Sequence, residues 1–112
     1  MVRPTDGILA SDVIDDVVRR LVRKFAPLKI ILFGSHARGE ATPDSDLDFL
    51  IVVADGADLR RAAIDIHREL TDLALPKDIL VTTPAEIANR GDLIGSALRP
   101  ALREGKILYE RS

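Results

Sequence analysis

Between Val13 and Phe25, the apolar residues Val13, Ile14, Val17, Val18, Leu21, Val22 and Phe25 recur at three- and four-residue spacing. That spacing lines one face of a helix. Ser11 is the candidate N-cap. Asp12, Asp15 and Asp16 come early and Arg19, Arg20, Arg23 and Lys24 late, an order that complements the helix dipole. Pro27 marks the stop. The pattern then changes. Leu28 to Phe33 reads as a buried strand, and Leu47 to Val53 is apolar on both faces beyond its aspartates, as in a central strand. Asp55-Gly56 is a turn signal, and Leu59, Ala62, Ala63, Ile66, Leu70 and Leu73 return to helical spacing. Pro76 closes that connection and Asp78 to Val81 reads as a third strand. Thr83-Pro84-Ala85-Glu86 is a capping box with proline at the first helical position. Leu93, Ile94, Ala97, Leu98, Ala101 and Leu102 form a last helical face, which Pro100 should kink or split and Gly105 should end. Lys106 to Tyr109 reads as a short edge strand. Helices alternating with strands predict an α/β sandwich. The pattern leaves open whether its sheet is parallel or mixed.

Composition narrows the class. A chain of 112 residues with no internal repeat or linker reads as one domain, residues 1–112. At 46% hydrophobic and 30% charged it can bury a core. There is no cysteine, hence neither disulfide nor thiolate metal site, which is compatible with a reducing cytoplasm. No apolar run approaches the roughly 20 residues of a membrane span. The stretch Met1 to Asp6 is too polar for a signal peptide. A cytoplasmic protein without a membrane partner is therefore expected. Net charge is −2, with 16 basic and 18 acidic residues intermixed. No basic stripe suits a long nucleic-acid backbone. The two histidines, His36 and His67, lie far apart, which argues against a His-rich zinc site.

The chemistry concentrates in two short segments. The first predicted strand runs into Gly34-Ser35, and Asp46 and Asp48 open the second. Residues i and i+2 of a strand share a face, so the two carboxylates can aim at one point. Like charges that close repel unless a cation intervenes. Hard oxygen ligands beside a phosphate-binding turn suit Mg²⁺, which takes one or two carboxylates plus substrate phosphates. Gly34 permits close backbone approach to a phosphate, and Ser35 offers a hydroxyl and an N–H. Taken alone, a Gly-Ser pair more often marks an ordinary turn. The aspartates carry more weight, because strands are depleted in aspartate; the plainer reading ends the preceding loop at Ser45 and Asp46. Asp78, opening the third strand, is either a third carboxylate, as metal ligand or base, or a turn residue after Pro76-Lys77. Arg38 either neutralises triphosphate charge or is a solvated helix arginine. His36 reads as solvent-facing, Arg61 and His67 as a surface helix pair rather than a nuclease motif, and Tyr109 as a residue without a chemical role.

Leu32-Phe33-Gly34-Ser35-His36-Ala37-Arg38-Gly39 together with Ser45-Asp46-Leu47-Asp48-Phe49 resembles the minimal nucleotidyltransferases of the DNA polymerase β-like superfamily. Their signature of Gly-Ser, ten residues and Asp-x-Asp is matched without a gap, and the likeness extends to Lys77–Val81 and Ala101–Glu110. The resemblance implies a small mixed sheet flanked by helices. It also implies Mg²⁺, as two ions, held by Asp46 and Asp48, with Asp78 in the position of the third carboxylate, and ATP as substrate. Gly34, Ser35 and Arg38 would bind the nucleotide. Many members are encoded beside a HEPN-domain toxin, and antitoxin members transfer AMP to a tyrosine of it. Larger aminoglycoside-modifying relatives carry a second, helical domain for which this length leaves no room. Two function classes follow: an enzyme that adenylylates a partner, or a binding antitoxin that masks its partner by contact. The three carboxylates favour the enzyme. The acceptor and the homo- or hetero-oligomeric state stay open.

Overall fold

The computed structural model describes residues 10–42, 45–73, 75–90 and 98–111. The elements run α1 (Ala10–Phe25), β1 (Lys29–Phe33), α2 (Ser35–Arg38), β2 (Leu47–Val52), α3 (Leu59–Glu69), β3 (Lys77–Thr82), α4 (Pro84–Arg90), α5 (Leu98–Glu104) and β4 (Lys106–Glu110). The expected α/β character holds. Boundaries shift by a residue or two, and Ser11 is corrected: α1 already includes Ala10, so Ser11 lies inside the helix rather than capping it. Leu93, Ile94 and Ala97 lie outside the described residues. From Leu98 onward α5 runs through Pro100 without a break.

The four strands form one sheet in the order β3-β2-β1-β4. β1 pairs antiparallel with β2 and β4, while β2 pairs parallel with β3, so the sheet is mixed. The connections explain the directions. The link through α2 reverses the chain, whereas the parallel β2–β3 pair needs a crossover, and α3 supplies it. Asp58 caps α3 by accepting the Arg61 N–H at 3.1 Å. Thr83 caps α4 by accepting the Glu86 N–H at 3.2 Å, as the capping-box spacing predicts.

Strand alternation sends alternate residues of β2 to opposite faces. Leu47, Phe49 and Ile51 join Ile30, Leu32 and Ile79, and α1 and α3 cover them with Val13, Val17, Leu21 and Ile66, together with Leu70 at the C-cap of α3. Leu50 and Val52 join Ile31 on the other face, under Ala101 of α5 and Ile87 of α4. Gly105 is required where α5 meets the sheet, because a Cβ there would collide with the Ala101 carbonyl and the Ile31 side chain. Asp48 belongs by register to this second face, at the end of β2 where the chain enters the sheet.

Candidate active site

β1 ends at Phe33, and the chain turns through Gly34 at φ 77°, ψ −157°. That region is essentially closed to residues with a Cβ. A Cβ on Gly34 would also collide with the Oδ2 of Asp48. Glycine therefore serves twice here, for the turn and for the space that the carboxylate fills. α2 follows as a single helical turn. It is closed by Arg38 N–H to Gly34 O at 3.2 Å, Glu40 N–H to Ser35 O at 2.9 Å, and Gly39 in the left-handed conformation. The first amides of such a turn have no helical acceptor. Among the described residues the Ser35 hydroxyl also makes no hydrogen bond.

Asp48 feels charge from four neighbours, Asp78, Asp46, His36 and Arg38. In the antiparallel register it faces Phe33, and in the parallel register it stands directly opposite Asp78. Adjacent strands lie about 4.8 Å apart. Its carboxyl is pushed above the ordinary value of 3.8, first by burial and then by the negative charges of Asp78 and Asp46; His36 and Arg38 oppose the rise. Asp46 and Asp78 are exposed and Asp48 is half-buried. The three predicted carboxylates thus belong to one electrostatic cluster beside the Gly34-Ser35 turn. One expectation needs correcting. Asp46 does not open the strand, since β2 begins at Leu47, whose N–H donates to Pro76 O at 2.9 Å. Asp46 sits on the arm leading into β2.

Arg38 stands at the rim, its guanidinium held by Glu40 at 3.2 Å and near Glu104 of α5 at 3.9 Å. His36 is not solvent-facing as expected. It is half-buried, with Nε2 3.4 Å from the carbonyl of Ser45. Sequence reasoning missed both the His36–Ser45 and the Arg38–Glu104 contacts; the second joins residues 66 positions apart, for which no local signal exists. Arg61 and His67 are exposed on α3, where Arg61 pairs with Asp65 at 3.4 Å. Tyr109 is half-buried against the core.

The donor set can be tested against a divalent ion. Among the described residues no three carboxylate, histidine or cysteine side chains close into a metal cage. An open set of carboxylates, one of them half-buried and raised by burial and then by its like-charged neighbours, still fits Mg²⁺. That ion binds through one or two carboxylates and completes its shell with water and phosphate oxygens. A dication would relieve the repulsion that raises Asp48.

Residues 14–107 match the sequence profile of the nucleotidyltransferase domain. A protein of Methanocaldococcus jannaschii, provisionally named as a protein adenylyltransferase, is 35% identical over 72 residues, covering 62% of this chain and 47% of its own length. The chain therefore spans about half the length of that relative. A crystal structure of a Sulfolobus solfataricus protein assigned as a nucleotidyltransferase superimposes with TM-score 0.64 at 19% identity, covering 89% of this chain and 79% of that one. A toxin–antitoxin structure with AMP-PNP superimposes with TM-score 0.59 at 22% identity, covering 92% and 75%. At these identities the structural likenesses speak for the fold.

Proposed function

The chain belongs to the nucleotidyltransferase domain family, and from that premise we propose that it transfers AMP from ATP to a tyrosine hydroxyl of a HEPN-domain toxin, as the antitoxin of a cytoplasmic pair. The observation that carries this reading is Asp48. It is half-buried beside Gly34, and burial first, then the charges of Asp78 and Asp46, raise its affinity for a proton. The provisional name of the archaeal relative supports protein as the acceptor. The AMP-PNP-bound toxin–antitoxin neighbour, similar in fold, supports the nucleotide and the kind of partner.

Asp46, Asp48 and Asp78 would hold the divalent metal, with two Mg²⁺ ions favoured. When bound there, the metal lowers the pKa of the acceptor hydroxyl and offsets the charge of the leaving pyrophosphate. The Gly34-Ser35 turn binds the outer phosphates through the Ser35 hydroxyl and the free amides of α2. Arg38 swings from Glu40 and Glu104 to the triphosphate at a modest cost, since exposed ion pairs contribute little. The acceptor oxygen forms a bond to the α-phosphorus. The bond from that phosphorus to the bridging oxygen breaks, pyrophosphate leaves, and the hydroxyl proton passes to a neighbouring base. The protein supplies position and charge rather than covalent chemistry.

The test is incubation of this chain and its partner toxin with ATP and Mg²⁺, read by intact mass. The partner should gain one AMP residue per modification. Asp48→Ala should cut the rate by about 10²–10³-fold, the loss typical when preorganised charge stabilisation is removed, while the complex still forms. If Asp48→Ala neutralises the toxin as well as the wild type at equal expression, catalysis is dispensable and masking by contact is the function.

A further inference from the structure

We propose that His36 is a positioning residue that sets the place of Asp46, an inference that rests on the nucleotidyltransferase reading of the site. Asp46 lies outside β2 and is exposed, so neither the ladder nor the core holds its side chain. Its place depends on the peptide units that flank it. On the C-terminal side Leu47 is anchored, its N–H on Pro76 O at 2.9 Å and its side chain fully buried. On the N-terminal side stands Ser45. Its N–H donates to Thr42 O at 3.0 Å, and its hydroxyl accepts from the Thr42 N–H at 2.9 Å. These bonds tie Ser45 to Thr42, and among the described residues neither of them reaches the sheet. The tie comes from the Ser45 carbonyl, which faces His36 Nε2 at 3.4 Å.

A carbonyl only accepts, so Nε2 carries the proton in this contact. At that length the bond is weak, and its worth is geometric. His36 is itself held in α2, with its own carbonyl accepting from Gly39 N–H at 3.4 Å. One imidazole thereby joins the phosphate-binding turn to the residue before Asp46. The distance between turn and carboxylate is set through it, and misplacement of a site group by about 1 Å costs on the order of 10²-fold.

The probe is ATP with Mn²⁺, titrated by calorimetry into the wild-type chain, His36→Ala, His36→Asn, His36→Gln, Asp46→Asn and the His36→Ala/Asp46→Asn double variant. Glutamine can place an amide N–H where Nε2 stands; asparagine falls short. His36→Ala and His36→Asn should bind about tenfold more weakly, as for other residues that orient metal ligands. His36→Gln should stay within about threefold of the wild type, and His36→Ala should add less than about twofold on the Asp46→Asn background. Undiminished binding by both His36→Ala and His36→Asn overturns the proposal. So does an equal loss in the presence and absence of the Asp46 carboxylate.

A nucleotide-free readout separates this inference from the reading beneath it. The ¹⁵N order parameter of the Asp46 amide should sit near 0.85 in the wild type and His36→Gln, and fall below about 0.6 in His36→Ala and His36→Asn. An unchanged value overturns the role of His36 whether or not ATP binds. Failure of the wild type itself to bind ATP with Mn²⁺ overturns the nucleotidyltransferase reading instead. If His36→Ala does not fold, His36→Asn carries both measurements.

Discussion

Asp48, at the entry to β2, stands half-buried opposite Asp78 and beside Asp46, with no ion pair among the described residues. Asp72, just beyond α3, stands in the open with its two oxygens on Arg20 of α1 at 2.7 and 2.9 Å. Around it charges meet partners: Arg20 also reaches Asp16 at 3.1 Å and the Glu69 carbonyl at 3.2 Å, and Lys24 holds Glu69 at 2.9 Å. The same carboxyl group is driven in opposite directions. Hydrogen bonding to Arg20 lowers Asp72, whereas burial and like charge raise Asp48. Charges that hold helices together arrive with their partners. Asp48 has no such partner among the described residues, and on the proposed reading a cation would relieve its repulsion. Perturbed groups of the second kind cluster at functional sites.

The sharpest way to break this contrast is to remove the unpartnered charge. Asp46→Asn with Asp48→Asn should weaken Mg²⁺-dependent ATP binding by more than about 100-fold, because Asp78 alone then remains of the three carboxylates proposed to hold a divalent ion beside the turn. Replacing both Arg20 and Asp72 by alanine should leave that affinity within about twofold. Calorimetry on the two double variants decides it; equal losses would remove the distinction between the clusters.

Gly34→Ala asks how closely the turn and Asp48 depend on one another. The backbone there costs about 1–3 kcal/mol for a residue with a Cβ, a fall of roughly 4–20 °C in melting temperature for a domain of this size. The new methyl group also displaces the Asp48 carboxylate, so ATP binding should be lost in the fraction that folds. Gly39→Ala meets no neighbour within 4 Å and should bind ATP like the wild type. Thermal melting and calorimetry on both variants test the pair.

The smallest effect lies in the pH dependence of stability without metal. A raised carboxyl weakens the folded state as pH climbs from 3.8 toward its folded value and above. Asp48→Asn should therefore melt slightly higher than the wild type at pH 7, by up to about 4 °C, and that advantage should vanish as pH falls to about 3.5. A lowered carboxyl does the reverse. Its contribution is present above 3.8 and is lost as pH falls through the folded value, so Asp72→Asn should melt lower at neutral pH and converge with the wild type in acid. Melting curves from pH 3 to 7 on the two variants should differ from the wild type with opposite signs. The same sign for both would mean that Asp48 is not under repulsion. With Mg²⁺ and ATP added, the advantage of Asp48→Asn should reverse, since ligand stabilises only the chain that binds it.

Much of this was legible from local pattern. The 3.6-residue period marks α1 and α3, and apolar runs mark β1 and β2, because burial on one face selects those residues whatever lies opposite. Gly34-Ser35 and the Asp46/Asp48 spacing are equally local, and so is the Thr83 cap. The N-cap role expected of Ser11 failed because local pattern fixes a helix end only to within a residue or two. Asp46 was read into the strand because alternation extends one residue beyond the ladder, where only hydrogen bonding tells strand from approach.

What the sequence by itself determined is therefore the set of elements and the chemistry carried within each. Both follow from side-chain periodicity over a few residues. The tertiary structure decided which elements meet. It paired β2 in parallel with β3, setting Asp78 directly opposite Asp48 across 30 residues of chain. It aimed His36 at Ser45, brought Glu104 to Arg38, and closed Arg20 onto Asp72 across 52 positions. Such contacts leave no periodic trace. They arise because two apolar faces of one sheet must both be covered, and the charges on the covering helices come to rest where that packing puts them.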